Sequence, residues 1–415
     1  KSIEAESIWQ RNNTGWDWYI PKISFVSERG EQSISNIRVQ ANQISWKAQA
    51  DSIALNPATV LMPLLKGQLP DINSWTEKAQ VTGELFSLKA AGQTSLSQWT
   101  ISGHAKQLGF NPINNAPGLH DFSGVFAIDN KGGTFRFINS KPQLDWPVSL
   151  GKPISSTIDG ALIWWKSGTD WVLAARDLHW QGEGLDITVD SQLQMYQSGK
   201  APMLNLAANL KTFDFTTAKR FWLRHLMNES TIQWLDMALV KGEIRNASVL
   251  LSGNLDHWPF ADKTGRFSAR TVLFAEQFKF AGDWPAAQNT LLNVDFNGPG
   301  FSADGSLIYL DNPITLLPSG IASFSTSDLI IDVSASSNMQ TLLPVLNKTP
   351  LKATVGDLVA GLKGNGPVVA NVNMLFPLSK GSEYNRSQGD ITFIGTDIQS
   401  KDLNLAMSKV NGLAK

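Results

Sequence analysis

The sequence predicts a mainly β protein of antiparallel strands with a few short helices. Three observations carry this. Apolar and polar residues alternate with a period of two in segment after segment. Gly, Asn, Asp and Pro separate those segments at short intervals. Helical periodicity is confined to a few short stretches. Alternation of this kind marks strands with one dry and one wet face, and short connections favour meanders over βαβ units.

Taken in order, residues 56–66 form the first helix candidate, shortened by proline. Strand candidates follow at 81–88, 124–129, 134–139, 157–165 and 171–175. The clearest strand is 185–195. Leu185, Ile187, Val189, Leu193 and Met195 share one side, and Asp186, Thr188, Asp190, Gln192 and Gln194 the other. An αα pair is expected over 217–240. Its second half opens Ser230-Thr231-Ile232-Gln233, a capping-box spacing. It carries Ile232, Leu235 and Leu239 as one stripe and stops at Lys241-Gly242. Further strands are expected at 248–255, 265–274, 301–309, 329–335 and 390–396. Leu292, Val294 and Phe296 alternate with Asn293 and Asp295, and Val368, Ala370, Val372, Met374 and Phe376 with Asn371 and Asn373. Residues 339–346 and 351–362 are the remaining helix candidates.

Asp145-Trp146-Pro147 recurs as Asp283-Trp284-Pro285, and expected helical insertions follow strands after Leu55, Phe215 and Ser337. The reading is one continuous array with approximate units 1–145, 146–283 and 284–415. The chain opens without Met or a signal-peptide pattern and closes in ordinary sequence, so it reads as an internal section of a longer polypeptide.

Composition removes several classes of function. The 415 residues carry 35 Lys plus Arg against 36 Asp plus Glu. No basic excess exists to neutralise nucleic-acid phosphates, so no nucleic-acid partner is expected. The absence of cysteine excludes thiol catalysis and cysteine metal sites. The most apolar stretch, 53–65, is broken by Asn56, Pro57 and Pro63, too short for a bilayer-spanning helix. His104, His120, His179, His225 and His257 have no metal-ligand spacing, and no nucleophile elbow or phosphate loop exists. Gly182-Glu183-Gly184 and Gly364-Asn365-Gly366 read as hairpin turns. No catalytic residue, metal or cofactor is expected, and the protein reads as no enzyme. Tryptophan is abundant, at 15 residues. Trp146, Trp258 and Trp284 precede prolines, where strands end. They read as rim packing or as an amphipathic belt.

Area arithmetic raises a question. About 200 strand residues present roughly 3,000 Å² on one sheet face. About 45 helical residues shield roughly 700 Å². The rest must pack on another sheet face or hold a guest, since large exposed apolar patches are rare. The pattern leaves both open.

Residues 218–260 carry a resemblance. They read Arg220-Phe221-Trp222-Leu223, Trp234-Leu235-Asp236-Met237-Ala238-Leu239, Gly242, Leu250-Leu251-Ser252-Gly253 and Trp258-Pro259-Phe260. Gly265-Arg266-Phe267, Asp283-Trp284-Pro285, Leu342-Leu343, Thr349-Pro350-Leu351, Gly364-Asn365-Gly366-Pro367 and Phe376-Pro377-Leu378 continue it. This resembles the AsmA-like superfamily of Gram-negative envelope proteins, in its YhdP-type branch related to TamB. Phe221-Trp222-Leu223 departs from the Tyr-Leu-Pro of that pattern.

The resemblance implies an elongated, strongly curved antiparallel sheet forming an open apolar groove, as in bridge-like lipid transfer proteins. It implies a segment of a periplasm-spanning conduit that carries phospholipid acyl chains between inner and outer membranes. The full-length protein would be anchored in the inner membrane by an N-terminal helix outside this sequence. The expected groove lining is Leu185, Ile187, Val189, Leu193, Leu292, Val294, Phe296, Val368, Ala370, Val372, Met374 and Phe376. Two alternatives stand beside it. One is a scaffolding protein for outer-membrane biogenesis, with closed β cores, protein partners and no lipid cargo. The other is a carbohydrate-binding protein using tryptophans and carboxylates such as Asp186 and Asp190.

Overall fold

In a computed structural model, residues 2–27, 30–55, 78–222, 229–258, 260–323, 328–352, 361–377, 386–400 and 404–415 are described. The chain divides into two compact units, Lys1–Leu206 and Ala207–Lys415.

The first unit contains β1 (Ser2–Arg11), β2 (Gly15–Ser27), β3 (Gly30–Asn42), β4 (Ser45–Ala54), β5 (Thr82–Gln93), β6 (Trp99–Phe110), β7 (Gly118–Asp129), β8 (Gly132–Ser140) and β9 (Gln143–Asp145). The short helix α1 (Pro147–Leu150) precedes β10 (Ile154–Ser155), β11 (Thr157–Ser167), β12 (Asp170–Gly182) and β13 (Leu185–Met195). Each of β1 to β8 pairs antiparallel with the next, β8 then pairs with β11, and β11–β12–β13 complete the ladder. Among the described residues β1 pairs with β2 and β13 with β12, and none pairs β1 with β13, so the ladder is open there.

Strand β14 (Met203–Leu210) straddles the boundary. The second unit begins with β15 (Phe213–Asp214), α2 (Phe215–Arg220), α3 (Glu229–Ala238) and β16 (Leu239–Asn254). Next come β17 (Arg266–Phe278), β18 (Ala287–Asn297), β19 (Gly300–Tyr309), β20 (Asn312–Ile321), β21 (Asp328–Asn338) and α4 (Met339–Lys348). The last strands are β22 (Leu362–Asn365), β23 (Pro367–Pro377), β24 (Arg386–Ser400) and β25 (Leu405–Ala414). Strands β16 to β21 pair in order, then β21–β23–β24–β25, all antiparallel. The expected fold class is the observed one: mainly β, an open antiparallel sheet, few short helices.

Local chemistry explains the elements. In β19 every second residue from Phe301 is shielded while Ser302, Asp304 and Ser306 are exposed, which is the period of a strand with one wet face. The Glu183-Gly184 turn uses two left-handed residues, at φ 49° and 88°, as a two-residue hairpin requires. Left-handed Gln107, Asn139 and Asp177 sit at register shifts in β6, β8 and β12. These are β-bulges, which bend a strand and sharpen its twist. The bends accompany a cluster in which Phe122, Phe135 and Phe137 meet at centroid distances of 5.1 to 6.2 Å. Phe126, Phe135, Phe137, Ala105 and Ile158 are the buried members there.

Several expectations change. Helix α3 starts at Glu229, so Ser230 lies inside it and is not a cap; Gln233 Nε2 donates instead to Glu229 Oε1 at 3.0 Å. Lys241 and Gly242 belong to β16, at a bulge where β16 and β17 slip register. Gly242 has φ 154°, and a Cβ there would lie 2.2 Å from Phe274 O. Gly364-Asn365-Gly366 is not a hairpin, because β22 and β23 both pair with β24 and succeed each other along it. Helix α4 continues through Pro344 to Lys348, with Leu342 and Leu343 seated on the sheet. The expected helix at 56–66 lies outside the described residues, as does most of the one at 351–362.

Candidate functional site

Residues directly opposite each other in an antiparallel pair project to the same face. Strand register therefore shows which side chains share a surface. In the first unit one row crosses eleven strands: Trp9, Trp18, Val39, Ala48, Ala90, Ile101, Ile128, Gly133, Trp164, Leu173 and Leu193. No charged or polar side chain interrupts it. Trp9 and Trp18 are 58% and 40% exposed, and the other side chains of the row are half-buried, so no described element covers it.

The second unit has its own row. Phe213, Ile244, Leu273, Leu292, Gly305, Leu316, Val333, Val372 and Gly389 stand opposite one another across nine strands. A parallel row joins Phe296, Phe301, Ile321, Leu329 and Phe376. Phe296 and Phe301 have ring centroids 5.7 Å apart.

These rows place the residues singled out from sequence. Leu185, Ile187, Val189 and Leu193 lie half-buried on the apolar face of the first unit, opposite Gly182, Trp180, Leu178 and Leu173. Val294 joins the second unit's face opposite Thr271 and Ala303. Met374 stands opposite Ile331, and Val372 and Phe376 belong to the rows above. Register thus brings the β18 and β23 sets onto one face, although some 70 residues of sequence lie between them. Val368 and Ala370 have a different setting. They are buried under α4, against Met339, Leu342 and Leu343. Leu292 is buried as well. A second cover lies over Leu239 and Ala275, where Phe215 of α2, Trp222 and Leu235 of α3 pack.

The opposite face mixes apolar side chains such as Trp165 and Val172 with polar ones tied by their own pairs. Asp17 receives Arg38 and Gln40, with Arg38 Nη2 at 2.5 Å. Those hydrogen bonds, Arg38 first, hold its carboxyl below the ordinary range. Arg270 meets Asp295 at 2.6 Å, Asn293 donates to Asp304, and Asn371 links Ser334 to Asp390. Asp186 lies 2.9 Å from His179 Nε2, and Asp190 accepts the backbone N–H of Asp177. This acidic pair therefore serves the wet face of its own sheet. Among the described residues no group of three metal-capable side chains forms, and no helix is long and apolar enough to cross a membrane.

Of the three tryptophans before prolines, Trp146 directly follows β9, while Trp258 and Trp284 lie in the connections after β16 and β17. Trp146 Nε1 donates to Asn115 O at 2.8 Å, Trp258 packs on Phe260 and Phe267, and Trp284 on Phe280 and Tyr309. Burial pushes the Tyr309 hydroxyl up to about 12. Sequence reading expected a strand at 81–88, within β5, but missed β1 to β4 and β6, including Trp9, Trp16 and Trp18. The signal was present in the Trp16, Trp18, Ile20 alternation of β2.

An apolar row of this extent fits one comparison. The family model described as YhdP protein matches residues 2–413. The chain belongs to the YhdP family. It is 21% identical over 427 residues to the intermembrane phospholipid transporter YhdP of Escherichia coli (strain K12), covering 97% of this chain. That alignment spans 33% of the transporter, so the chain corresponds to about a third of this family member's length. No solved structure matches.

Proposed function

We propose that this chain is a segment of an intermembrane conduit in which phospholipid acyl chains lie on the apolar sheet face. The observation that carries the reading is the eleven-strand apolar row of the first unit, left uncovered by every described element. Burying acyl chains there gains about 0.8 kcal/mol per CH₂, and the polar head groups remain in water. No bond is made or broken, so no catalytic group is needed. The E. coli family member, named as an intermembrane phospholipid transporter, supports the same cargo. The setting that follows is the periplasm, with the complete protein reaching the inner membrane through an N-terminal anchor and the outer membrane at its far end.

The test is direct. The chain is purified without detergent and extracted, and lipid transfer between donor and acceptor vesicles is measured. Co-purifying phospholipid and a transfer activity lost in Val189→Asp or Val372→Asp, with folding retained by circular dichroism, are expected. A stable, lipid-free chain whose Val189→Asp variant unfolds would instead establish a closed structural core and the scaffolding reading.

A further inference from the structure

The first unit's apolar face has a direction along its strands. Turns at residues 12–14, 43–44, 94–98, 130–131 and 168–169 join strand pairs at one end, and the 111–117 connection and the 183–184 turn lie at the other. On β1 to β6 tryptophan collects at the first of these ends, whereas Trp180 of β12 lies at the other, opposite Ile158 and Ile187, with its Nε1 buried. Trp16, Ala41, Trp46, Gly92 and Trp99 stand opposite one another across β2 to β6, as the outermost row of the apolar face. Trp9, Trp18 and Trp164 occupy the next row inward.

Small residues alternate with these indoles for a steric reason. A Cβ on Gly92 would lie 2.9 Å from Trp46 Nε1 and 2.9 Å from Trp99 Cβ. A Cβ on Gly133 would lie 2.5 Å from Trp164 Cζ2. The rings thus need bare backbone beside them to reach their positions. Trp46 Nε1 donates to Gln93 O at 3.1 Å, which turns its polar edge toward the turn and leaves its apolar body over the face. Trp9, Trp16 and Trp18 remain 36% to 58% exposed. At the other end the face is dry, with Phe137 only 2% and Ile158 only 6% exposed.

We infer that phospholipid lies across this unit in one orientation. Its glycerol-ester boundary sits at the indole end, and its acyl termini point to the Phe122, Phe135 and Phe137 cluster. This rests on the cargo reading above and adds the direction. Indole suits a boundary that is apolar on one side and wet on the other. A phenyl cluster offers nothing to a head group.

The experiment uses the full chain loaded from phosphatidylcholine vesicles that carry a diazirine on the acyl chain, either next to the ester or at the terminal carbon. Labelled peptides are mapped by mass spectrometry. The ester-proximal probe is expected to label peptides containing Trp16, Trp46 and Trp99 several-fold more than those containing Phe122 and Phe137, and the terminal probe the reverse. Equal labelling of both ends by both probes, or the opposite polarity, overturns the orientation and leaves the cargo reading standing. Absence of label from either probe overturns both. In the double variant Trp46→Phe, Trp99→Phe, the ester-proximal label should spread along the strands. An unchanged label pattern in that variant overturns the part assigned to the indoles.

Discussion

Val189 in β13 and Val368 in β23 come from the same kind of sequence, an alternation of apolar and polar residues, yet they live in different surroundings. Val189 is half-buried on a face that no described element covers. Val368 is 1% exposed, beneath α4. The first unit's apolar row carries no cover from any described element. The second closes part of its row with its own helices, at Phe215 and Leu239 and again at Leu342 and Leu343. Period two therefore reports that a strand has a dry face and says nothing about what dries it.

Charge at the two valines sharpens this contrast most. Val368→Asp places a carboxylate inside a helix–sheet contact with no partner, and should cost about 3–5 kcal/mol in urea denaturation. Val189→Asp meets water or cargo and should cost about 1 kcal/mol or less. Equal losses at the two sites would show that the first unit's face is also a closed core.

The same contrast marks how far the sequence could be read. Strands β13, β18 and β23 were legible because a full apolar set alternates with Asn, Asp, Gln or Thr. Strands β3 and β4 were not, because Ala41, Ala48 and Ala50 dilute the apolar set with side chains of little hydrophobic weight. Strand β20 carries Pro313 and Pro318, which argue against a strand; the structure accommodates Pro318 where β20 slips register against β19 and β21. The capping box at Ser230 failed because the helix already includes Glu229, which puts Ser230 inside it. For the site, a single strand shows only its own alternation. The joining of Trp9 to Leu193 in one row exists only through pairing register, which residues distant in sequence set together. The helix cover over Val368 was equally hidden, since its partners Leu342 and Leu343 lie in a different element.

Loosening the cover is a milder way to probe the second unit. Asp214 caps α2, accepting the Thr217 N–H at 2.6 Å, and Phe215 beside it is buried over Leu239 and Ala275. Asp214→Ala should cost about 1 kcal/mol. If the helices and acyl chains compete for this face, the variant should also bind more phospholipid per chain than the parent. Lost stability with unchanged lipid content would mean that the covered area is never offered to cargo.

The smallest effect concerns a turn of the second unit that seals apolar surface without a helix. Phe260, 3% exposed, fills the space between Gly253 and Gly265 and packs against Trp258. The turn behind it is tied by Asp262, which accepts the Thr264 hydroxyl at 2.7 Å and the Thr264 N–H at 3.0 Å and pairs with His257 Nδ1. These donors, the Thr264 hydroxyl first, lower the Asp262 carboxyl from 3.8 to about 2. A carboxyl depressed by folding stabilises the turn at every pH above its unfolded value and loses that contribution as pH falls toward 2. The Thr264 amide resonance should therefore titrate with a midpoint near 2 in the parent and show no such step in Asp262→Asn. A midpoint near 3.8 would mean that the tie does not hold in solution. Phe260 would then seal this surface through its packing against the two glycines and Trp258, without help from the polar network of the turn.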